Sequence, residues 1–114
     1  MFIEINDNSK ELRFDLNFIR HLNKTFQAEA SGMKVPMGVT LATIQLNQGD
    51  YSALSDVIRC ALNNSLSQQT IDKAIERIAE EGSLDDLLDE VIDEMGKSLF
   101  VKNQLSRAEK QSQQ

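Results

Sequence analysis

Three sets of residues in this chain have the chemistry to act on a substrate or hold a metal: one histidine, one cysteine and a run of paired carboxylates. His21 lies between Arg20 and Leu22. As a general base it needs an orienting partner, and as a zinc ligand it needs companions at helical spacing. The chain holds neither a second histidine nor a second cysteine, so His21 is expected at an ordinary surface or boundary position. Cys60 sits in the largely apolar run Val57-Ile58-Arg59-Cys60-Ala61-Leu62. A nucleophilic thiolate requires an electropositive setting and a nearby base. Cys60 is therefore expected to pack as a small hydrophobe.

The carboxylates Asp85, Asp86, Asp89, Glu90, Asp93 and Glu94 recur in pairs every four residues, interleaved with Leu87-Leu88, Val91-Ile92 and Met95. A calcium loop alternates its ligands around a central glycine. This spacing instead places acids on one side of a helix and hydrophobes on the other. The acids then form a solvated face or a face for a partner. The five glycines are scattered singly at 32, 38, 49, 82 and 96, so no phosphate-cradling loop is present. The expectation is a protein that is not an enzyme, with no catalytic, cofactor-binding or metal-binding residues and no cofactor.

Charge narrows the partners. The net charge is -6, and acids and bases balance from Met1 to Lys34. Between Asp72 and Lys97, only Lys73, Arg77 and Lys97 oppose the acids. Such a surface repels nucleic-acid phosphates. Ser67-Gln68-Gln69-Thr70-Ile71 superficially resembles the start of a helix-turn-helix recognition helix, yet Glu76, Glu80 and Glu81 follow. No nucleic acid is expected as a partner.

These residues must be positioned by one domain, because 114 residues are too few for two ordinary ones. The single cysteine excludes an internal disulfide and fits a reducing compartment. No apolar run approaches the roughly 20 residues that cross a bilayer, and Met1-Phe2-Ile3-Glu4 does not open a signal peptide. The cytoplasm is expected, with no membrane partner.

Alternation in Phe2-Ile3-Glu4-Ile5 and Lys10-Glu11-Leu12-Arg13-Phe14, around Asn6-Asp7-Asn8-Ser9, predicts a hairpin burying Ile3, Ile5, Leu12 and Phe14. Asp15 or Asn17 can cap a helix bearing Phe18, Ile19, Leu22 and Phe26, with Gly32 as its stop. Pro36 suits the first turn of a second helix carrying Met37, Leu41 and Ile44 and ending at Gly49. Asp50 caps a third with Tyr51, Leu54, Val57, Ile58, Ala61 and Leu62. After the break at Asn63-Asn64-Ser65, Ser67 caps a fourth with Ile71, Ile75, Ile78 and Ala79, closed by Gly82. Ser83-Leu84-Asp85-Asp86 resembles a capping box, opening a fifth with Leu84, Leu87, Leu88, Val91, Ile92, Met95 and Leu99. The fold class expected is mainly α: a short N-terminal β-hairpin, then about five packed helices (α+β with minor β). Residues 1–102 form a single helical domain, and 103–114 a polar, flexible C-terminal tail.

In that order, several segments resemble the tail assembly chaperones of siphophages of Gram-positive bacteria. The hairpin leads straight into Phe14-Asp15-Leu16-Asn17-Phe18-Ile19-Arg20-His21-Leu22-Asn23-Lys24. Gly32-Met33-Lys34-Val35-Pro36-Met37-Gly38-Val39, an apolar helix ending in Gly49-Asp50, Tyr51-Ser52-Ala53-Leu54-Ser55-Asp56-Val57-Ile58 and an acidic helical pair follow. The similarity covers roughly residues 1 to 100. It implies the short-form chaperone, which coats and solubilises the tape measure protein and helps recruit tail tube protein subunits. Tail tube contact would come mainly through a longer, frameshifted form. The resemblance further implies action in the host cell cytoplasm, absence from the mature virion and a possible homo-oligomer.

Masking a partner requires an exposed apolar surface beside acids that maintain solubility. The candidates for partner binding are Met37, Leu41 and Ile44 from the second helix and Leu84, Leu88, Val91, Met95 and Leu99 from the fifth. Met33, Met37 and Met95 add adaptability. The opposing expectation is that both stripes are core, since a small domain needs most of its apolar residues inside. Two other functions remain open: a small acidic helical adaptor or inhibitor of a host protein, and a helix-turn-helix DNA-binding regulator.

Overall fold

The computed structural model describes residues 1–112. Its elements in chain order are β1 (Phe2–Ile5), β2 (Asn8–Glu11), α1 (Leu16–Thr25), β3 (Gln27–Ala30), β4 (Met33–Pro36), α2 (Gly38–Asn47), α3 (Tyr51–Ala61), α4 (Gln68–Glu80), α5 (Leu84–Lys97) and α6 (Leu99–Ser112). The protein is mainly α with minor β, as the sequence predicts.

Asn6 and Asp7 both adopt left-handed φ, 53° and 63°, so the first hairpin closes in a two-residue turn rather than over Asn6–Ser9. Ile3 stands opposite Lys10. The alternation buries Ile3 and Ile5 and leaves Phe2 and Glu4 exposed. Leu12 is buried just beyond the strand, while Phe14 is half-buried. An isolated hairpin is marginal in water, and two bonds anchor this one. Arg77 Nη2 donates to the Glu4 carbonyl at 3.0 Å, and the Arg13 amide to the Ala61 carbonyl at 2.9 Å.

The largest departure from expectation lies between α1 and α2. Asp15 caps α1, accepting from the Phe18 amide at 3.1 Å, but the helix stops at Thr25 instead of running to Gly32. Gln27-Ala28-Glu29 offers no large apolar residue to continue the stripe of Phe18, Ile19 and Leu22 after Phe26. The chain forms a second hairpin, β3–β4, whose turn uses Ser31 and Gly32 at φ 54° and 78°. Pro36 ends β4 opposite Gln27, a strand terminus where its missing N–H costs little. It does not enter α2, which begins at Gly38.

Asp50 caps α3, accepting from the Ser52 and Ala53 amides, and Ser67 caps α4, accepting from the Thr70 amide. Ser83 differs. Its backbone is not extended and its side chain makes no capping bond, so the capping-box expectation fails there. Asp85 and Asp86 still complement the α5 dipole.

The last helical run breaks at Ser98. Its hydroxyl donates to the Phe14 carbonyl at 2.9 Å and accepts from the Val101 amide at 3.4 Å, which turns the chain into α6. Residues 103–112, expected as a tail outside the domain, are helical within α6, and Leu105 packs on the core. Gln113 and Gln114 lie outside the described residues.

α3 is central, packed by α1, α2 and α4, and its Leu54, Val57 and Ile58 are fully buried. Leu22, Phe18, Leu46 and Ile71 close around it. Ser55 is buried too, with its hydroxyl donating to Asp72 and accepting from the Gln68 amide group, so α3 and α4 share a polar seam. Beside that seam, burial pushes the Asp56 carboxyl above its ordinary pKa, and Asp72 and Asp50 push it further. A raised carboxyl pKa means that folding favours the proton. The stabilising contribution is therefore present in acid and is lost as pH rises through the folded-state pKa. Asp56→Asn is expected to raise the melting temperature near neutral pH, with the gain vanishing below the usual carboxylate range. Thermal unfolding of both proteins across pH checks this. A less stable Asn variant at neutral pH would show that Asp56 makes a stabilising contact.

Candidate partner-binding surface

The groups with intrinsic chemistry are all placed structurally. The His21 ring sits between two side chains of the turn that follows α3. Nε2 lies 3.1 Å from Asn63 Oδ1, and Nδ1 lies 3.0 Å from Asn64 Nδ2. The tautomer protonated on Nε2 satisfies both bonds, since Asn64 then donates to Nδ1. Asn63 and Asn64 are left-handed at φ 62° and 55°, so His21 pins a strained turn onto α1. Cys60 is buried with Thr25 Oγ1 3.6 Å away, and burial raises its thiol pKa. It is a packing residue held in its protonated form.

The acids of α5 do not converge. Among the described residues no group of three or more histidines, cysteines or carboxylates is placed to hold a metal. Asp85 accepts from the Tyr51 hydroxyl at 2.7 Å, which raises the Tyr51 pKa. Tyr51, expected in the apolar stripe of α3, is exposed and links α3 to α5. Lys97 pairs with Asp93 and Glu94, each at 3.3 Å. These bridges are exposed and contribute little.

The eight candidate partner residues separate by burial. Leu88, Val91 and Met95 lie in the core, and Leu41 and Leu84 are half-buried against it. Met37, Ile44 and Leu99 are exposed at 37%, 48% and 72%.

Two exposed apolar patches emerge. On β4, Met33 and Val35 share one face by the two-residue period of a strand, and Met37 follows at the neck of the hairpin. All three are exposed. The second patch is Leu99 and Phe100 at the start of α6, which line a recess of about 480 Å³ with Leu12 and Phe14. The Phe14 ring is fixed edge-to-face on Phe18, with centroids 5.0 Å apart. A second recess, of about 400 Å³, lies where Pro36 and the start of α2 face Arg107 of α6.

Val35 and Phe100 are not among the sequence candidates. The sequence hides Val35 because the pattern over the second hairpin predicts a helix end, a loop and a helix start. It hides Phe100 because the periodicity predicts one helix from Ser83 to about Lys102, with a stripe ending at Leu99.

A family model described as phage tail assembly chaperone protein, TAC, matches residues 2–110. No curated protein and no solved structure matches the chain.

Proposed function

The chain belongs to the phage tail assembly chaperone family, and from that premise we propose that it binds the tape measure protein and keeps it in solution during tail morphogenesis. It also helps recruit tail tube protein, mainly through a longer frameshifted form. It acts in the host cell cytoplasm as a binding protein without chemistry of its own, beside further copies of itself, and leaves before the virion is complete.

The observation that carries this reading is the family match across nearly the whole chain. The exposed apolar side chains support it. Leu99, Phe100, Met33, Val35 and Met37 stand in water on a folded scaffold, and apolar groups so placed are suited to cover a hydrophobic partner. Met37, Ile44 and Leu99 are the direct contacts, with Leu41 and Leu84 at the margin. Leu88, Val91 and Met95 support them from beneath.

The test is co-expression with the tape measure protein of the same phage, scored for solubility and stoichiometry. Several copies of this chain per soluble tape measure are expected. A double substitution, Leu99→Asp with Phe100→Asp, is expected to keep the helical circular dichroism and melting temperature near those of the parent while losing tape measure capture. A tape measure that precipitates with or without the chain would overturn the proposal. Undiminished capture by the double variant would remove the α6 patch from it.

A further inference from the structure

The groove between α2 and α5 is occupied by α6, and occupied incompletely. Val101, Leu105 and Ala108 fall at i, i+4 and i+7, on one helix face. Val101 is buried and the other two are half-buried, whereas Lys102, Asn103, Gln104, Ser106 and Arg107 are exposed. Beside α6 a void of about 160 Å³ remains, open to solvent on one side at the exposed Asn47 and Gly96 and lined otherwise by Thr43 and Leu46 of α2, Ile92 and Met95 of α5, and Leu105 itself. Thr43 Oγ1 is buried without a hydrogen-bond partner. A helix that matched the groove would close this void, because its apolar lining forgoes dispersion contacts.

We propose that this groove is a helix-binding site, with α6 as a resident latch that an amphipathic partner helix displaces. The displacing helix carries larger apolar residues at the same i, i+4, i+7 spacing and basic residues alongside. α6 shows what the groove accepts, and the void shows that α6 fills it poorly. Charge sets the rest of the specification. α5 carries Asp85, Asp86, Asp89, Glu90, Asp93 and Glu94, while α6 carries Lys102, Arg107 and Lys110 against Glu109. A helix of net positive charge thus packs beside one of net negative charge, and the long-range field of α5 favours a competitor of the same sign. The latch swings on Ser98, the one extended residue between two helices. Because the closed state withholds the groove, apparent affinity falls by the fraction of molecules that are open. That the partner is a tail component rests on the chaperone reading; the latch does not.

The test uses the full chain and, as probe, a labelled peptide with the sequence of residues 99–112. Leu105→Ala weakens the latch, and the variant is expected to bind the peptide about tenfold more tightly than the parent, the scale of one lost apolar anchor. Leu105→Phe places more carbon in the void and is expected to bind the peptide less tightly than the parent. Equal binding by all three folded proteins overturns the latch. If Leu105→Ala does not fold, hydrogen exchange of the parent decides. Faster exchange in α6 than in α5 supports a helix that opens alone, and equal protection overturns it. No tail protein enters either measurement. Failure of the latch would leave the chaperone reading intact, and a tape measure that this chain cannot solubilise would leave the latch intact.

Discussion

Leu88→Asp is expected to abolish the cooperative thermal transition of this protein rather than to weaken partner capture selectively. Leu88 is only 8% exposed and belongs to the continuous core. The substitution removes about 1.5–3 kcal/mol of apolar burial. It also places a carboxylate where ionisation costs several kcal/mol more unless the group stays protonated. Domains of this size hold a net stability of roughly 5–15 kcal/mol, so the variant sits at or past its margin. Circular dichroism against temperature, beside the Leu99→Asp, Phe100→Asp protein, makes the comparison. The pair separates the surface proposed to touch the partner from the layer that holds that surface up. A folded Leu88→Asp protein that had lost capture would reverse the assignment and make the inner stripe of α5 the contact.

Gly38→Ala is expected to lower stability by about 1–3 kcal/mol, the usual scale for overpacking a tight site. A Cβ at Gly38 would lie 2.5 Å from the carbonyl carbon of Leu22, 2.6 Å from the Asn23 nitrogen and 2.7 Å from the Leu22 Cβ. Two of these are backbone atoms of α1, which cannot rotate aside. The Gly38 amide also donates to Asn23 Oδ1 at 2.9 Å, so moving the helices apart stretches that bond. Gly96→Ala provides the contrast. Its Cβ meets nothing within 4 Å, and removing a helical glycine is expected to add about 0.5–1 kcal/mol. Thermal melts of the two alanine variants should move in opposite directions. A Gly38→Ala protein as stable as its parent would mean that α2 does not start pressed against α1.

Much of this architecture was legible because local chemistry and global packing agree. The caps at Asp15, Asp50 and Ser67 were visible because a short polar side chain precedes each apolar stripe. The helices α3, α4 and α5 were visible because their stripes are long. The second hairpin was not visible. Met33-Lys34-Val35-Pro36 alternates for too few residues to outweigh helix signals on both sides, and Pro36 is as welcome in a helix start as at a strand end. The break at Ser98 depends on a bond to the Phe14 carbonyl, 84 positions away, and no local pattern carries that information. The same holds for the Ser55–Asp72 seam, whose serine reads as a solvent-facing residue until α4 packs over it. Candidate contacts suffered most, because a wide apolar stripe does not say which of its edges remains in water. Only packing separated Leu99 from Leu88.

The neck of the second hairpin is pinched shut. Gly38 presses on α1, the Met37 amide donates to the Phe26 carbonyl at 3.3 Å, and Phe26 is buried. From Met33 to Met37 every side chain lies outside the core, so side-chain substitutions there carry little thermodynamic penalty, while the left-handed Gly32 holds the turn. Natural drift can therefore rewrite this finger while the helical body stays under purifying constraint. Descendants of one ancestral scaffold could in this way come to escort different cargoes without passing through an unfolded intermediate sequence.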